Sequence, residues 1–173
     1  MNKYILSILS IAVLFIGCYD NNDDIKTGAI TVTTNNVADG TWYFNLQSNS
    51  IDTNTWHISL QNISVDPNYP SLPSIVLSDT VMVSVVENQQ FDDIITSPET
   101  NTFTANTAIV SLNGTDEILH YDFDFQTGSG THQILVSNKI YFIYDIITHR
   151  IYKLNFQEYS SGILLFQYIE MDL

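Results

Sequence analysis

Apolar and polar residues alternate with a period of two in stretch after stretch of this chain, and helical periodicity hardly appears. Trp42, Phe44 and Leu46 alternate with polar or amphipathic neighbours. Trp56, Ile58 and Leu60 stand against His57, Ser59 and Gln61, and Val81, Val83 and Val85, then Tyr121, Phe123 and Phe125, continue the pattern. Successive side chains of a strand point to opposite faces, so each run predicts a half-buried strand, and the β-branched and aromatic bias favours the same state. Three strong runs, 139–147, 151–157 and 162–171, are separated by short gaps at Thr148-His149-Arg150 and at Tyr159-Ser160-Ser161 with Glu158 before it, a spacing that predicts an antiparallel meander.

Asp39-Gly40 and Asn113-Gly114 can supply positive φ, and Gly128-Ser129-Gly130 a reversal. Pro67, Pro70 and Pro73 keep 66–73 out of an interior strand and make it a surface loop, while 89–95, ended before Pro98, is the one short helix expected. The pattern predicts a single antiparallel, all-β domain over 28–173.

The amino terminus sets the compartment. Lys3 precedes an uncharged run from Ile5 to Ile16, too short for a bilayer span, which takes roughly 20 apolar residues. Residues 1–17 therefore read as a cleaved signal peptide. Phe15-Ile16-Gly17-Cys18 resembles the lipobox cut by lipoprotein signal peptidase, with Phe15 where Leu is usual. Cys18, the chain's single cysteine, is expected to carry the lipid and can form no intrachain disulfide. Residues 18–27 form an acidic tether whose Asp20, Asp23 and Asp24 resemble the signal that exports lipoproteins of Bacteroidetes-type bacteria to the surface of the outer membrane.

Charge and motif content narrow the function. The chain has 5 Lys+Arg against 19 Asp+Glu, and cleavage would remove Lys3 and no acid. Lys26, Lys139, Arg150 and Lys153 are too few to track nucleic-acid phosphates. The chain has no Gly-x-Ser-x-Gly, no His-Glu-x-x-His, no phosphate-binding glycine loop and no cysteine free to act as a nucleophile, so it reads as a binding protein and not an enzyme.

From about Ala38 to Leu173, the motifs come in a suggestive order. Thr41-Trp42-Tyr43-Phe44 is followed by Thr55-Trp56-His57-Ile58-Ser59-Leu60, then Phe91-Asp92-Asp93-Ile94 with Pro98 behind it. Lys139-Ile140-Tyr141-Phe142-Ile143, Ile151-Tyr152-Lys153-Leu154, Tyr159, Gly162 and Phe166-Gln167-Tyr168 close the series. This order resembles the HmuY-like haem-binding lipoproteins of Bacteroidetes. The resemblance implies a right-hand-shaped β-sandwich, and capture of haem outside the cell for an outer-membrane receptor, in iron acquisition. Three features depart from it: His57 stands where the family usually has Asp, the segment between Ile63 and Val81 is short, and the glycine- and asparagine-rich stretch expected there is missing. The alternative is a diverged module of this type that binds another small ligand or a partner protein without haem.

Haem iron takes axial donors such as His or Met, and the macrocycle needs apolar walls. The donors after the leader are His57, His120, His132, His149, Met82 and Met171. Strand parity predicts that His57 is exposed, opposite Trp56, Ile58 and Leu60. It puts His120 on a face with Asp122 and Asp124, a polar face that could seed a metal site but reads more simply as solvated. His149 falls in a tight turn and Met171 near the end of the last strand. His132 and Met82 remain as the axial-ligand candidates. His132 begins an alternation with Ile134 and Val136 at the rim of an apolar face, and Met82 lies opposite Val81, Val83 and Val85. A hydrogen-bonded edge histidine and a gap-filling methionine are the plainer readings of these two. Tyr69, Trp42 and Trp56 could build a platform for a flat ligand, although aromatics at alternate strand positions usually belong to a core.

Overall fold

A computed structural model describes residues 28–64, 67, 68, 70–105, 108, 109, 118–124 and 126–172. The leader, Cys18, the acidic tether, Tyr69, Asn113-Gly114 and Phe125 lie outside the described residues. Thirteen strands are described. In chain order they are β1 (Ile30–Thr33), β2 (Trp42–Asn45), β3 (Ser50–Ile51), β4 (Ile58–Ile63), β5 (Leu72–Leu77), β6 (Val81–Val86), β7 (Thr104–Ala105), β8 (Ala108–Ile109), β9 (Leu119–Asp124), β10 (Ser129–Val136), β11 (Ile140–Asp145), β12 (Arg150–Ser160) and β13 (Ile163–Met171). A six-stranded sheet, β1-β13-β12-β11-β6-β7, and a five-stranded sheet, β3-β2-β4-β5-β8, are joined by a two-stranded ribbon, β9-β10. Every described pairing is antiparallel, so the all-β reading of the sequence holds.

The two large sheets face each other across an aromatic core. Trp42 stacks on Phe44 at 5.0 Å, and Phe166 meets both rings edge-on. Tyr168 donates its hydroxyl to the Leu46 carbonyl at 2.9 Å, so a β13 side chain satisfies a backbone acceptor just past β2. Trp42 is therefore core, while Trp56 is half-buried ahead of β4 with its ring 5.2 Å from Tyr43. The meander is present as β11-β12-β13. Its second turn is tighter than expected, because β12 runs to Ser160 and only Ser161 (φ 52°) and Gly162 (φ 85°) reverse the chain. Positive φ at both central residues matches the right-handed twist of the flanking strands.

A second core explains why β11 is apolar without alternation. Ile140 and Phe142 are buried on the outer face of the six-stranded sheet with Ile151, Phe91 and Phe103, while Tyr141 and Ile143 are buried on the inner face. A strand covered on both sides has no solvent face to mark with polar residues. The cover is the segment between β6 and β7, and there the helix expected over 89–95 is corrected to a three-residue 3-10 turn, Phe91–Asp93. Lys153 Nζ donates to the carbonyls of Phe91 and Ile94 at 2.6 and 2.7 Å. An α-helix over 89–95 would need the Phe91 carbonyl for the Ile95 N–H, so the lysine and the inserted Phe91 hold the segment open.

The proline-rich stretch also differs from expectation. Pro73 lies inside β5, opposite Asn62. Among the described residues β8 pairs only with Ile75 and Val76.

Candidate functional site

The β9-β10 ribbon carries two of the six donors, His120 and His132. Pairing Tyr121 with Ile134 and Leu119 with Val136 puts an apolar face on the ribbon, and Ile134 and Val136 pack against the main core. The opposite face carries His120 beside Leu135 and Asp122 beside Gln133. Between Gly130 and Gln133 the register shifts, so Thr131 and His132 form a bulge. Asp122 holds that bulge by accepting from the Thr131 N–H at 3.1 Å and from its hydroxyl. The Thr131 hydroxyl, then its N–H, hold the Asp122 carboxyl below the usual carboxylate range. Asp124 serves the turn in the same way, accepting from Thr127 and the Gln126 N–H, which lower its pKa. Both acids of the His120 face are thus engaged in shaping the ribbon, and among the described residues no group of three potential metal ligands occurs.

His132 is where the bulge points. Its φ is 57°, and of the five described non-glycine residues with positive φ it alone sits inside a strand. Such conformations persist only when the surroundings over-determine them. Here the imidazole stacks on Phe123 at 3.9 Å and 25°, and its Nδ1 lies 2.6 Å from the Tyr121 hydroxyl. The side chain is exposed, and the hydroxyl contact is made at Nδ1 and not at Nε2. Phe123 and Tyr121, though not His132 itself, line an open groove of about 1030 Å³ that runs past Leu135 to Lys139, Glu158 and Tyr159. Ligand sites commonly occupy roughly 300–1,000 Å³, so the groove is large enough for a macrocycle.

Gly130 sets the bulge. Its φ is 138°, and a Cβ there would run into the backbone of Asp122 and Phe123. Gly130→Ala should therefore cost about 1–3 kcal/mol of local stability, read as faster amide exchange across 119–136 with the meander unchanged.

The other candidates lie elsewhere. Met82 is on the outer face, as parity predicts, but it is half-buried against the second core and pairs with Tyr144. That is the opposite end of β11 from Lys139, so the structure does not bring Met82 and His132 together. His149 is exposed in the β11–β12 turn with Nδ1 2.6 Å from the Tyr144 hydroxyl, and Met171 packs on the second core.

His57 is corrected outright: it is 4% exposed. Position 57 precedes β4, so strand parity does not govern it, and its ring points between the sheets. The Leu46 N–H donates to His57 Nδ1 at 2.9 Å, which leaves the ring proton on Nε2, facing Asp145 Oδ2 at 3.2 Å. Asp145, 3% exposed, also accepts from the Thr148 hydroxyl and, at 2.9 Å, from the Ile147 N–H. Nothing in the local sequence pairs positions 57 and 145.

The three described cations are likewise structural. Lys139 pairs with Glu87 at 2.8 Å, Arg150 with Glu170 at 2.8 Å, and Lys153 is buried under Phe91. No protein-family model, curated protein or solved structure matches the chain.

Proposed function

We propose that this chain is a lipid-anchored, surface-exposed binding module of the HmuY-like type, without turnover, that captures haem at the β9-β10 ribbon for iron acquisition. The observation that carries the reading is His132, an exposed imidazole held in a strained bulge, stacked on Phe123 and engaged at Nδ1 by Tyr121. A metal-ligating histidine is commonly fixed through its second ring nitrogen in this way, which sets the tautomer and aims the first. The donor chemistry fits, because a porphyrin supplies four nitrogens of its own and asks the protein for one or two axial donors and apolar walls. His132 Nε2 is the axial donor in this reading, and Phe123 and Tyr121 are the walls. Met82 has no part in it, and Cys18 carries the anchor to the outer membrane.

Titrating haemin into the purified domain tests the reading. A sharpened, red-shifted Soret band is expected. His132→Ala should weaken binding by about tenfold or more, the equivalent of 1.4 kcal/mol, and Met82→Ala should leave it unchanged. A free-haemin spectrum at all protein concentrations would reject haem and leave a module for another ligand. Equal affinity in His132→Ala would move the ligand off the ribbon.

A further inference from the structure

Trp56 is an aromatic that the core does not absorb. It stands half-buried ahead of β4, and the loop that carries it is pinned on both sides. Asp52 accepts from the Asn54 N–H at 2.7 Å, from the Thr55 N–H at 3.2 Å and from the Thr55 hydroxyl at 2.5 Å. Asn45 Nδ2 donates to the Thr55 carbonyl, and the His57 N–H donates to the Phe44 carbonyl at 2.9 Å. A partly exposed indole held this firmly is preorganised, so a ligand that lies on it spends little on ordering the protein.

Trp56 lines a cleft of about 380 Å³, within the roughly 300–1,000 Å³ usual for small-molecule sites. The cleft lies at the Asp145 end of β11, opposite the Lys139 end where the β9-β10 groove opens. The buried polar groups beneath it are already engaged. Asp145 accepts from His57, Ile147 and Thr148, and the two ring nitrogens of His57 are taken by Leu46 and Asp145, so the histidine is no free base for chemistry there. The exposed lining residues differ. Among the described residues the side-chain amides of Gln47 and Asn54 have no hydrogen-bond partner, and the Asp79 carboxylate accepts only from the Ser78 hydroxyl, at 3.5 Å.

Charge and donor type select the ligand. The lining holds the carboxylates of Asp79 and Asp145 and no Lys or Arg, in a chain of net charge −14, so an anion is repelled. Each free amide offers both donors and an acceptor, which matches a hydroxyl group, itself both. The indole face takes an apolar surface. An apolar face edged by hydroxyls describes a pyranose: in a β-glucoside every ring substituent is equatorial, so axial C–H groups cover both faces and the hydroxyls radiate from the edge. We infer that this cleft is a second binding site, for a neutral pyranose sugar that stacks on Trp56 and hydrogen-bonds to Gln47, Asn54 and Asp79. It is independent of the ribbon and of haem.

NMR of the domain labelled with 15N at tryptophan tests the site, because the chain has two indoles, buried Trp42 and half-buried Trp56. Methyl β-glucopyranoside at millimolar concentration should shift the Trp56 indole N–H and leave Trp42 in place. Trp56→Ala should abolish binding, read by saturation transfer to the sugar. Gln47→Ala, at an exposed position outside the core, should weaken it by about threefold to tenfold, the loss of one hydrogen bond. Methyl β-glucuronide, the same ring with a carboxylate, should bind far more weakly. Absence of a Trp56 shift with the glucoside overturns the inference, and so does equal binding of the glucuronide, or of choline, which would make the indole a cation site. Unchanged affinity in Gln47→Ala and Trp56→Ala would place the sugar outside the cleft and overturn it too. Should Trp56→Ala fail to fold, the wild-type spectrum and Gln47→Ala decide.

Discussion

Asp145→Ala is expected to lower the stability of the domain by about 3–5 kcal/mol, the range for removing one partner of a buried polar pair, measured by chemical denaturation. The carboxylate is 3% exposed and ties the two sheets together, since His57 precedes β4 of one and Asp145 ends β11 of the other. Its loss would strand the His57 Nε2 proton, the Ile147 N–H and the Thr148 hydroxyl at once. Of these, buried His57 would carry the full desolvation penalty, while the donors of the exposed turn residues Ile147 and Thr148 can turn to water. Asp145→Asn, which keeps the shape and an acceptor, should cost less than half as much. A domain of this size has only some 5–15 kcal/mol of stability to lose, so Asp145→Ala is expected to be partly unfolded at 37 °C.

The same residue gives a pH signature. Burial pushes the Asp145 carboxyl up, but the Thr148 hydroxyl, the Ile147 N–H and His57 together hold it below its ordinary value of 3.8. A carboxyl lowered by folding stabilises above its unfolded pKa, and that contribution disappears as pH falls through the lowered folded value. Exposed Asp52, Asp122 and Asp124 shift in the same direction through their threonine hydrogen bonds, so part of the acid sensitivity belongs to them. The difference between wild type and Asp145→Asn should therefore be constant above about pH 4 and shrink below it.

Lys153→Ala is the second large effect, and its form differs. Lys153 is 5% exposed on the outer face, its ammonium 4.1 Å from the Phe91 ring centre and bonded to the Phe91 and Ile94 carbonyls. Burial lowers its pKa, and Asp92 opposes that shift. Removing it would free the segment that covers Phe142 and Ile151 while leaving the inner core in place. The expected cost is about 2–4 kcal/mol, from two charge-assisted bonds and the packing of the stem. Hydrogen exchange should lose protection over 91–103 first. Uniform loss across the meander would mean that the outer cover is no separate cooperative unit. Lys153→Met should restore the packing but not the protection.

The meander was legible because its signals are local: period-two alternation, a buried run and turn residues act within ten positions of each other. The face of Met82 and the common face of His132, Ile134 and Val136 were legible for the same reason. Parity could not say what covers a face, and Met82 lies beneath Phe91 and Phe103, which no strand pattern joins to it. Nor could it find the bulge, which depends on Gly130 passing close to the Asp122 backbone and on the Asp122 carboxylate reaching Thr131. His57 defeated parity because its environment is set by Leu46 and Asp145, one 11 and the other 88 positions away.

The ribbon as the ligand site is tested most directly by side-chain NMR of the domain labelled with 15N only at histidine, which reports the four imidazoles His57, His120, His132 and His149. Diamagnetic zinc protoporphyrin, which takes one axial nitrogen, should move the His132 Nε2 resonance far upfield under the porphyrin ring current and leave buried His57 and turn-bound His149 in place. A spectrum in which His132 stays still while another histidine shifts, or in which none shifts, would contradict the assignment.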